Sequence, residues 1–158
     1  MMKKFAAVLL TLLLVLMLSS ALAAESGTCG KNLTWTLDDT GLLTISGTGD
    51  MDDYPHSAEK RSPWYDHRKS VERVVIENGV ESVGTDAFTG CNNLAKVVLP
   101  QTLRRISGYA FNSCVSLAAI DLPENLQSIG EGAFRYCDSL KMIRIPKATT
   151  SLGREIAS

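Results

Sequence analysis

The sequence predicts an α/β-type repeat solenoid, in which stacked strands form a parallel β-sheet and short helical or 3-10 turns return the chain to the next strand. The first observation behind this prediction is a motif that occurs three times at a spacing of 23 residues, as CNNLAKVVLP, CVSLAAIDLP and CDSLKMIRIP. A fixed period of roughly 20 to 50 residues is typical of stacked repeats. The second observation is the alternation of apolar residues before each proline, which indicates a strand.

The repeat divides most of the chain into units. Full units span 81–103, 104–126 and 127–149, with a half unit at 64–80 before them and a partial unit at 150–158 after them. Each strand is expected at an alternating apolar pair, and neighbouring strands should stack about 4.8 Å apart. A proline closes each strand, where the loss of one N–H does not interrupt the ladder. The pairs are Val97 and Leu99, Ile120 and Leu122, and Ile143 and Ile145, and the prolines are Pro100, Pro123 and Pro146.

The segment that returns the chain carries an Ala-Phe pair in every full unit, at 87–88, 110–111 and 133–134. Alanine permits a close approach of neighbouring units, and the phenylalanine ring fills the interior, so a column of stacked rings is expected. Glycines in the same segment suit tight bends. We therefore expect short helical or 3-10 turns in this segment.

A cysteine precedes each strand, at positions 91, 114 and 137. Cysteine is small, polarizable and commonly buried, so we predict a column of free thiols packed at an interior corner. A disulfide between neighbouring units is the alternative, because a unit spacing of about 4.8 Å lies within the Cα separation that a disulfide allows. In-register side chains run parallel, however, which is poor geometry for a bridge. A metal site is not indicated, because there is no C-x-x-C and both histidines, His56 and His67, lie outside the repeated motif.

Residues 25–63 precede the repeats and are interpreted as an N-terminal β-hairpin cap. Trp35 and Leu37, then Leu43 and Ile45, alternate with threonines around the polar DDTG turn, which is a hairpin signal. The first unit of a stacked array exposes its core unless an atypical terminal element covers it. The hairpin is expected to be that cover.

Three aspartates, Asp50, Asp52 and Asp53, lie near the end of the cap segment. Clustered carboxylates can supply some of the oxygen ligands of a calcium site. The further oxygen ligands and the terminal glutamate of a calcium loop are missing, which favours a solvated turn.

The unit IGEGAFRYCDSLKMIRIP resembles the BspA-like leucine-rich repeat family, which is built of 23-residue repeats. The resemblance covers about 64 to 153, and the preceding segment is similar to the leader found before such repeats. It implies a leucine-rich-repeat solenoid wound as a right-handed coil. It also implies a secreted or surface-attached bacterial protein used for adhesion or protein binding.

The first 24 residues are interpreted as a cleaved signal peptide. Lys3 and Lys4 precede an apolar run at 5–18, and Ala21 and Ala23 supply an A-x-A cleavage pattern. A membrane anchor is the alternative, but the run is shorter than the roughly 20 apolar residues that cross a bilayer. We therefore expect a secreted protein, extracellular or cell-surface associated, with no membrane segment in its mature form.

Charge and motif content argue against two functional classes. The chain has 16 Lys and Arg against 17 Asp and Glu, scattered along its length, so no nucleic-acid partner is expected. It has no G-x-S-x-G, P-loop or H-E-x-x-H motif, and only His56 and His67 offer an imidazole base. We expect no catalytic residue, no cofactor and no enzyme activity, with a hydrolase as the weaker alternative.

The expected function is binding to a protein or surface ligand, host or bacterial, through the outward side chains of the strands. Repeat proteins bind partners through this extended face because its side chains do not pack in the core. An ordinary solvated face is the alternative, since scattered apolar residues are normal on surfaces. The candidate binding residues are Arg73, Val75, Lys96, Val98, Ala119, Asp121, Met142 and Arg144.

A structural role is the alternative function, either as a fragment of a larger surface array or through self-association. The repeat frame breaks after Leu152 and Gly153, where Ile156 and Ala157 stand at the places of the Ala-Phe pair. The last unit then leaves apolar residues and a strand edge open, and such an edge can pair with another chain. Self-association or fraying through the C-terminal coil is expected on this interpretation.

Overall fold

The computed structural model describes residues 24–55 and 60–157, and within them the fold consists of strands, turns and the 3-10 helix Tyr65–His67. The predicted signal peptide therefore lies outside the described residues, except for its last position. No helix in the described part of the chain is long and apolar enough to cross a membrane. The strands are β1 (Glu25–Gly30), β2 (Leu33–Leu37), β3 (Leu42–Gly47), β4 (Gly49–Asp50), β5 (Arg73–Ile76), β6 (Val80–Val83), β7 (Lys96–Val98), β8 (Arg105–Ile106), β9 (Ser128–Ile129) and β10 (Ser151–Leu152).

These strands form two five-stranded sheets. The front sheet has the order β1-β2-β3-β5-β7, and the rear sheet has the order β10-β9-β8-β6-β4. Strands of successive units pair in parallel with partners 23 residues apart, such as Val74 with Val97 and Ile106 with Ile129. Leu152 pairs with Ile129 in the same register, so the partial unit joins the stack. The parallel stacking that the repeat predicted is confirmed.

The cap is a three-stranded antiparallel sheet that continues directly into the first repeat strand. β2 and β3 form the predicted hairpin, and Asp38 Oδ1 closes its turn by accepting bonds from the N–H groups of Thr40 (2.9 Å) and Leu42 (3.0 Å). Gly41 in this turn has φ 75°, a conformation that costs glycine little. β1 is a further strand that the sequence analysis did not identify. The four apolar residues of the hairpin are buried: Trp35, Leu37, Leu43 and Ile45.

A column of stacked aromatic rings runs through the interior. Phe88, Phe111 and Phe134 stack at centroid distances of 5.1 and 5.5 Å, which confirms the predicted ring column. Trp64 adds a further ring, 5.4 Å from that of Phe88. The 23-residue period places Tyr65 rather than Trp64 next to Phe88, so the first unit is displaced by one residue where the 3-10 helix occurs.

The cap closes the N-terminal end of this column. Trp35 and Tyr54 contact the Trp64 ring edge-on, at centroid distances of 5.8 and 6.1 Å. The Trp64 Nε1–H donates to the carbonyl oxygen of Ala87 at 2.8 Å, so the buried indole nitrogen is satisfied. The cap therefore covers the first unit, as the hairpin signal predicted.

All four cysteines are free and buried, which agrees with the predicted thiol column. The thiols of Cys114 and Cys137 donate to the carbonyl oxygens of Phe88 and Phe111 in the preceding unit, at 3.3 and 3.2 Å. Burial raises the pKa of Cys91 to about 12 and that of Cys137 to about 11. These thiols are therefore protonated and poorly reactive at neutral pH.

The segments that return the chain in the full units are turns, so the predicted helical or 3-10 return legs, and with them the α/β class, are wrong. Their N–H groups bond to the following unit, as from Phe88 to Ala110 O and from Phe111 to Ala133 O, both at 2.8 Å. Two positions in each unit adopt a positive φ, which ends any helical segment. One position is occupied by Asp86, Tyr109, Gly132 and Glu155, and the other by Gly90, Ser113 and Tyr136.

The front sheet ends at β7, and the strands predicted at Ile120 and Leu122 and at Ile143 and Ile145 do not form. The apolar alternation reports burial, and burial persists there, because Ile120 is buried and Ile143 packs partly buried against the core. Backbone pairing is a separate condition that alternation does not specify. Beyond β7 the rear sheet and the turns hold neighbouring units together.

Candidate interaction surface

The predicted binding residues lie on the outer face of the front sheet and on its continuation beyond β7. Strand pairing puts Arg73 beside Lys96 and Val75 beside Val98. Val74, which lies between Arg73 and Val75 in β5, points into the core. Seven of the eight predicted residues are exposed, and Val75 is half-buried. Four of the exposed residues occupy the same repeat positions in the next two units without strand pairing: Ala119, Asp121, Met142 and Arg144.

This face carries two of the large apolar side chains that the described residues expose. Met142 is 81% exposed and Val98 is 44% exposed. The other two, Tyr136 and Leu152, lie on a return turn and on the rear sheet. Methionine adapts its shape readily and is common on surfaces that bind partners.

The charged residues of this face are only loosely tied to the rest of the chain. Arg73 Nη2 donates to Thr40 Oγ1 at 2.9 Å, and Arg144 Nη2 lies 3.4 Å from Glu124 Oε1. Both partners of the second pair are mostly exposed, so the pair adds little stability. Lys96 has no ion-pair partner among the described residues. These cations are therefore available to an anionic group of a ligand.

A shallow cleft of about 240 Å³ opens next to this face, where the front ladder is missing. Its walls combine apolar and charged groups, so it can accept a side chain with both characters. It is lined by Gln101, Ile120, Asp121, Leu122, Glu124, Arg144 and Pro146.

The cap extends the same face with a row of hydroxyl groups that the sequence analysis did not assign to it. Pairing places Thr36 beside Thr44 and Thr44 beside Val75, so the rows of the repeats continue across the hairpin. The alternation of threonines with buried residues in the hairpin was the available signal, but it was interpreted only as a cover for the core. The outward hydroxyl residues are Ser26, Thr28, Thr34, Thr36, Thr44 and Ser46.

Three of the residues considered for catalysis or metal binding, His67, Asp50 and Asp53, have structural partners in the described part of the chain. His67 Nε2 lies 2.9 Å from Glu25 Oε2, and no hydroxyl or thiol among the described residues is hydrogen-bonded to the ring. His56 lies outside the described residues. The N–H of Thr85 donates to Asp53 Oδ1 at 2.7 Å and holds the pKa of that carboxyl below its usual range.

The other two aspartates of the cap segment, Asp50 and Asp52, have separate surroundings. Asp50 Oδ1 lies 3.2 Å from Arg105 Nη2, and Asp52 is exposed. Within residues 24–55 and 60–157 there is no group of three or more His, Cys, Asp or Glu that could hold a metal ion.

Parallel strands stacked one repeat apart, joined by turns around a column of rings, define a leucine-rich-repeat protein. Residues 62–157 match the family model described as "BspA type Leucine rich repeat region (6 copies)". The chain belongs to this family, as its repeat unit indicated.

Several solved structures are similar to this chain, among them two leucine-rich repeat proteins. One is a leucine-rich repeat protein from Eubacterium ventriosum, with a TM-score of 0.65 and 29% identity over 82% of this chain and 40% of that one. The other is a leucine-rich repeat protein from T. pallidum, with a TM-score of 0.59 and 28% identity over 80% of this chain and 64% of that one. The matches thus cover less than two thirds of either protein. No curated protein sequence matches the chain.

Proposed function

We propose that this chain is a secreted, non-catalytic leucine-rich-repeat protein that binds a protein or cell-surface ligand through the outer face of its front sheet. The observation that carries the proposal is the exposure of Val98 and Met142, 44% and 81%, on the face where the candidate residues align. Exposed apolar groups bordered by charges are typical of interaction sites. The right-handed solenoid and the cleaved signal peptide are part of the same proposal.

The rigidity of the face supports this function. The outward residues alternate with residues that contact the core, such as Val97 and Ile120, each 7% exposed, and the partly buried Ile143. A ligand that meets side chains already held in place loses less conformational freedom on binding. Family membership and the N-terminal leader sequence support secretion, and the pairing of His67 with Glu25 supports a role without catalysis.

Binding to immobilised surface proteins of bacterial and host cells tests the proposal. The double variant Val98→Glu and Met142→Glu places two charges at the centre of the face and should weaken binding by about tenfold or more. The matched control is Tyr136→Glu with Leu152→Glu, which changes the other two exposed large apolar side chains. We expect the control to bind as the unmodified protein does. An equal loss of binding in both double variants, or no loss of binding in either, would contradict a front-face site.

Self-association is a second candidate function, favoured by the rear sheet. β10 is the outermost strand of that sheet in the described residues, and its Leu152 is 53% exposed. An unpaired strand edge can pair with another chain. Sedimentation velocity over a concentration series should then show a dimer or larger species that Leu152→Lys weakens. A monomer at every concentration would contradict this function.

A further inference from the structure

The junction between the cap and the first unit carries a group of basic side chains that the proposed front face does not include. Lys60, Arg61, Arg68 and Lys69, here called the basic cluster, lie in a segment in which Asp66 is the one carboxylate. The chain as a whole has a net charge of −1, so this excess is local. In the described part of the chain none of these four cations forms an ion pair.

Tyr65 holds the two guanidinium groups of the basic cluster in place. Arg61 Cζ lies 4.3 Å and Arg68 Cζ 4.0 Å from the centroid of the Tyr65 ring. Arg68 Nη1 also donates to the Tyr65 carbonyl oxygen at 2.8 Å. A guanidinium on an aromatic ring keeps in-plane N–H groups free to bind an oxyanion. Side chains positioned in this way lose less freedom when they bind.

The one-residue displacement in the first unit accounts for this arrangement. Trp64 occupies the place in the ring column, so Tyr65, which the period assigns to the interior, lies half-buried at the surface. A return turn further along the chain has one comparable contact, with Arg135 Cζ 4.7 Å from the Tyr136 ring. Among the described residues only Tyr65 holds two guanidinium groups.

The geometry of the two arginines indicates the kind of ligand. Both guanidinium carbons lie near one ring centroid, so they can be no further apart than the sum of their two distances from it. Like charges held this close repel each other, and an anion bound to both removes that repulsion. Carboxylates at alternate positions of an extended peptide are about 7 Å apart, which lies within this upper limit.

We propose that the basic cluster binds an extended acidic peptide segment of a partner protein. Two carboxylates two residues apart would engage Arg61 and Arg68 as bidentate pairs. Lys60 and Lys69, next to these arginines in the sequence, add positive charge. Nucleic acid fits less well, because the cluster is short and the Tyr65 ring that could stack a base is already occupied by the guanidinium groups. This site is separate from the front face and does not depend on the function proposed for that face.

Fluorescence anisotropy with a labelled peptide of alternating glutamate and serine tests this site. We expect the purified protein to bind this peptide, to bind it more weakly as salt increases, and to prefer it to a peptide of the same composition with its glutamates at five-residue intervals. Arg61→Gln and Arg68→Gln should each reduce the affinity by about tenfold. Lys147→Gln removes an exposed cation elsewhere and should leave the affinity unchanged. Arg61 is exposed, so its variant remains informative even if Arg68→Gln lowers stability.

Two outcomes would overturn the proposal. One is equal binding by the Arg61→Gln and Lys147→Gln variants, which would mean that the cluster is not the site. The other is tighter binding to heparin or single-stranded DNA than to the alternating peptide, which would identify a different class of partner. The front-face variant Val98→Glu with Met142→Glu should bind the peptide normally, so the two sites can fail separately.

Discussion

The front and the rear of the stack use the same repeat in different ways. On the rear side the ladder runs from β4 to β10, and the return turns add hydrogen bonds between units. On the front side the ladder reaches only from β1 to β7. The ring column continues past the point where the front ladder stops, with Phe111 on Phe134 at 5.5 Å. Interior packing and the rear hydrogen bonds are therefore sufficient to keep the units in register without front-strand pairing.

This difference also separates the residues that stabilise the stack from those to which we assign the proposed binding. The rear side and the interior contain the continuous hydrogen bonds and the stacked rings. The front side beyond β7 contains exposed side chains that are positioned mainly by their buried neighbours, as Ala119 is by Ile120. Substitutions on the two sides should consequently have very different effects on unfolding.

Removing a ring from the interior column should give the largest effect. Phe111 is fully buried between two stacked rings, so Phe111→Ala should lower the free energy of unfolding by about 3 to 5 kcal/mol. Lys96→Ala on the front face is the control and should cost well under about 1 kcal/mol. Urea denaturation measures both, and the reverse ranking would show that the interior does not hold the stack.

Removing one interior hydrogen bond while keeping an aromatic ring should give a smaller effect. Trp64→Phe leaves the buried carbonyl of Ala87 without the Nε1–H bond and should cost about 1 to 3 kcal/mol. Trp35→Phe is the matched control, because the Trp35 Nε1 has no hydrogen-bond partner in the described residues. Urea denaturation should show the larger loss for Trp64→Phe. Equal losses would mean that ring size, and not the hydrogen bond, determines the cost.

The thiol column should make the stability of the interior depend on alkaline pH. The ordinary pKa of a cysteine thiol is 9.0, and burial raises that of Cys91 to about 12. Between these values the unfolded chain releases a proton that the folded chain retains. The free energy of unfolding should therefore fall as pH rises from about 9 to about 12, by about 1.4 kcal/mol per pH unit for each such thiol.

Cys91→Ala tests this pH dependence. Urea denaturation at several pH values above 9 should give a slope that is shallower by the contribution of one thiol. Below pH 9 the titration adds nothing, so the variant should there show only a constant loss from reduced packing. An unchanged slope of unfolding free energy against pH would contradict the assignment of this pH dependence to the Cys91 thiol.

Relieving a strained turn should give the smallest effect. Ser113 has φ 61°, a conformation that costs a residue with a side chain roughly 1 to 2 kcal/mol. Ser113→Gly removes this cost but adds backbone freedom to the unfolded chain, so a gain of a few tenths of a kcal/mol is expected. Ser116→Gly, at a position without positive φ, should instead destabilise by about 0.5 to 1 kcal/mol. Thermal melting distinguishes the two by the sign of the shift.

Sequence periodicity predicted those features that depend on repeated burial. The Phe88 to Phe134 ring column, the buried thiols and the outward positions on the front face all follow from which residues must avoid water. Front-strand pairing could not be predicted in this way, because Ile120 is buried with or without a ladder. The return turns were missed because Asp86 and Tyr109 adopt positive φ without the glycine that usually marks it.

The candidate sites were predictable to a similar extent. Alternation placed Lys96, Val98 and Met142 outside correctly. Lys96 and Val98 flank the buried Val97, and Met142 precedes the partly buried Ile143. The basic cluster could not be predicted, because the period assigned Tyr65 to the interior. Trp64 and Tyr65 are adjacent, and only one of their rings can stack on Phe88 in the column. Residue spacing alone does not predict which of the two rings packs inside and which faces the surface.

The direct pairing of β3 with β5 has a consequence for the order of folding. The β2–β3 hairpin joins residues close in sequence, such as Leu37 and Leu43, whereas the parallel pairs of the units join residues 23 positions apart. Closing a short loop costs less entropy, so we expect the hairpin to form early and to offer the free edge of β3 as a template for β5. Each later unit can then add to the one before it while the chain is still being synthesised. The hairpin is therefore expected to be the nucleus from which the stack grows in one direction.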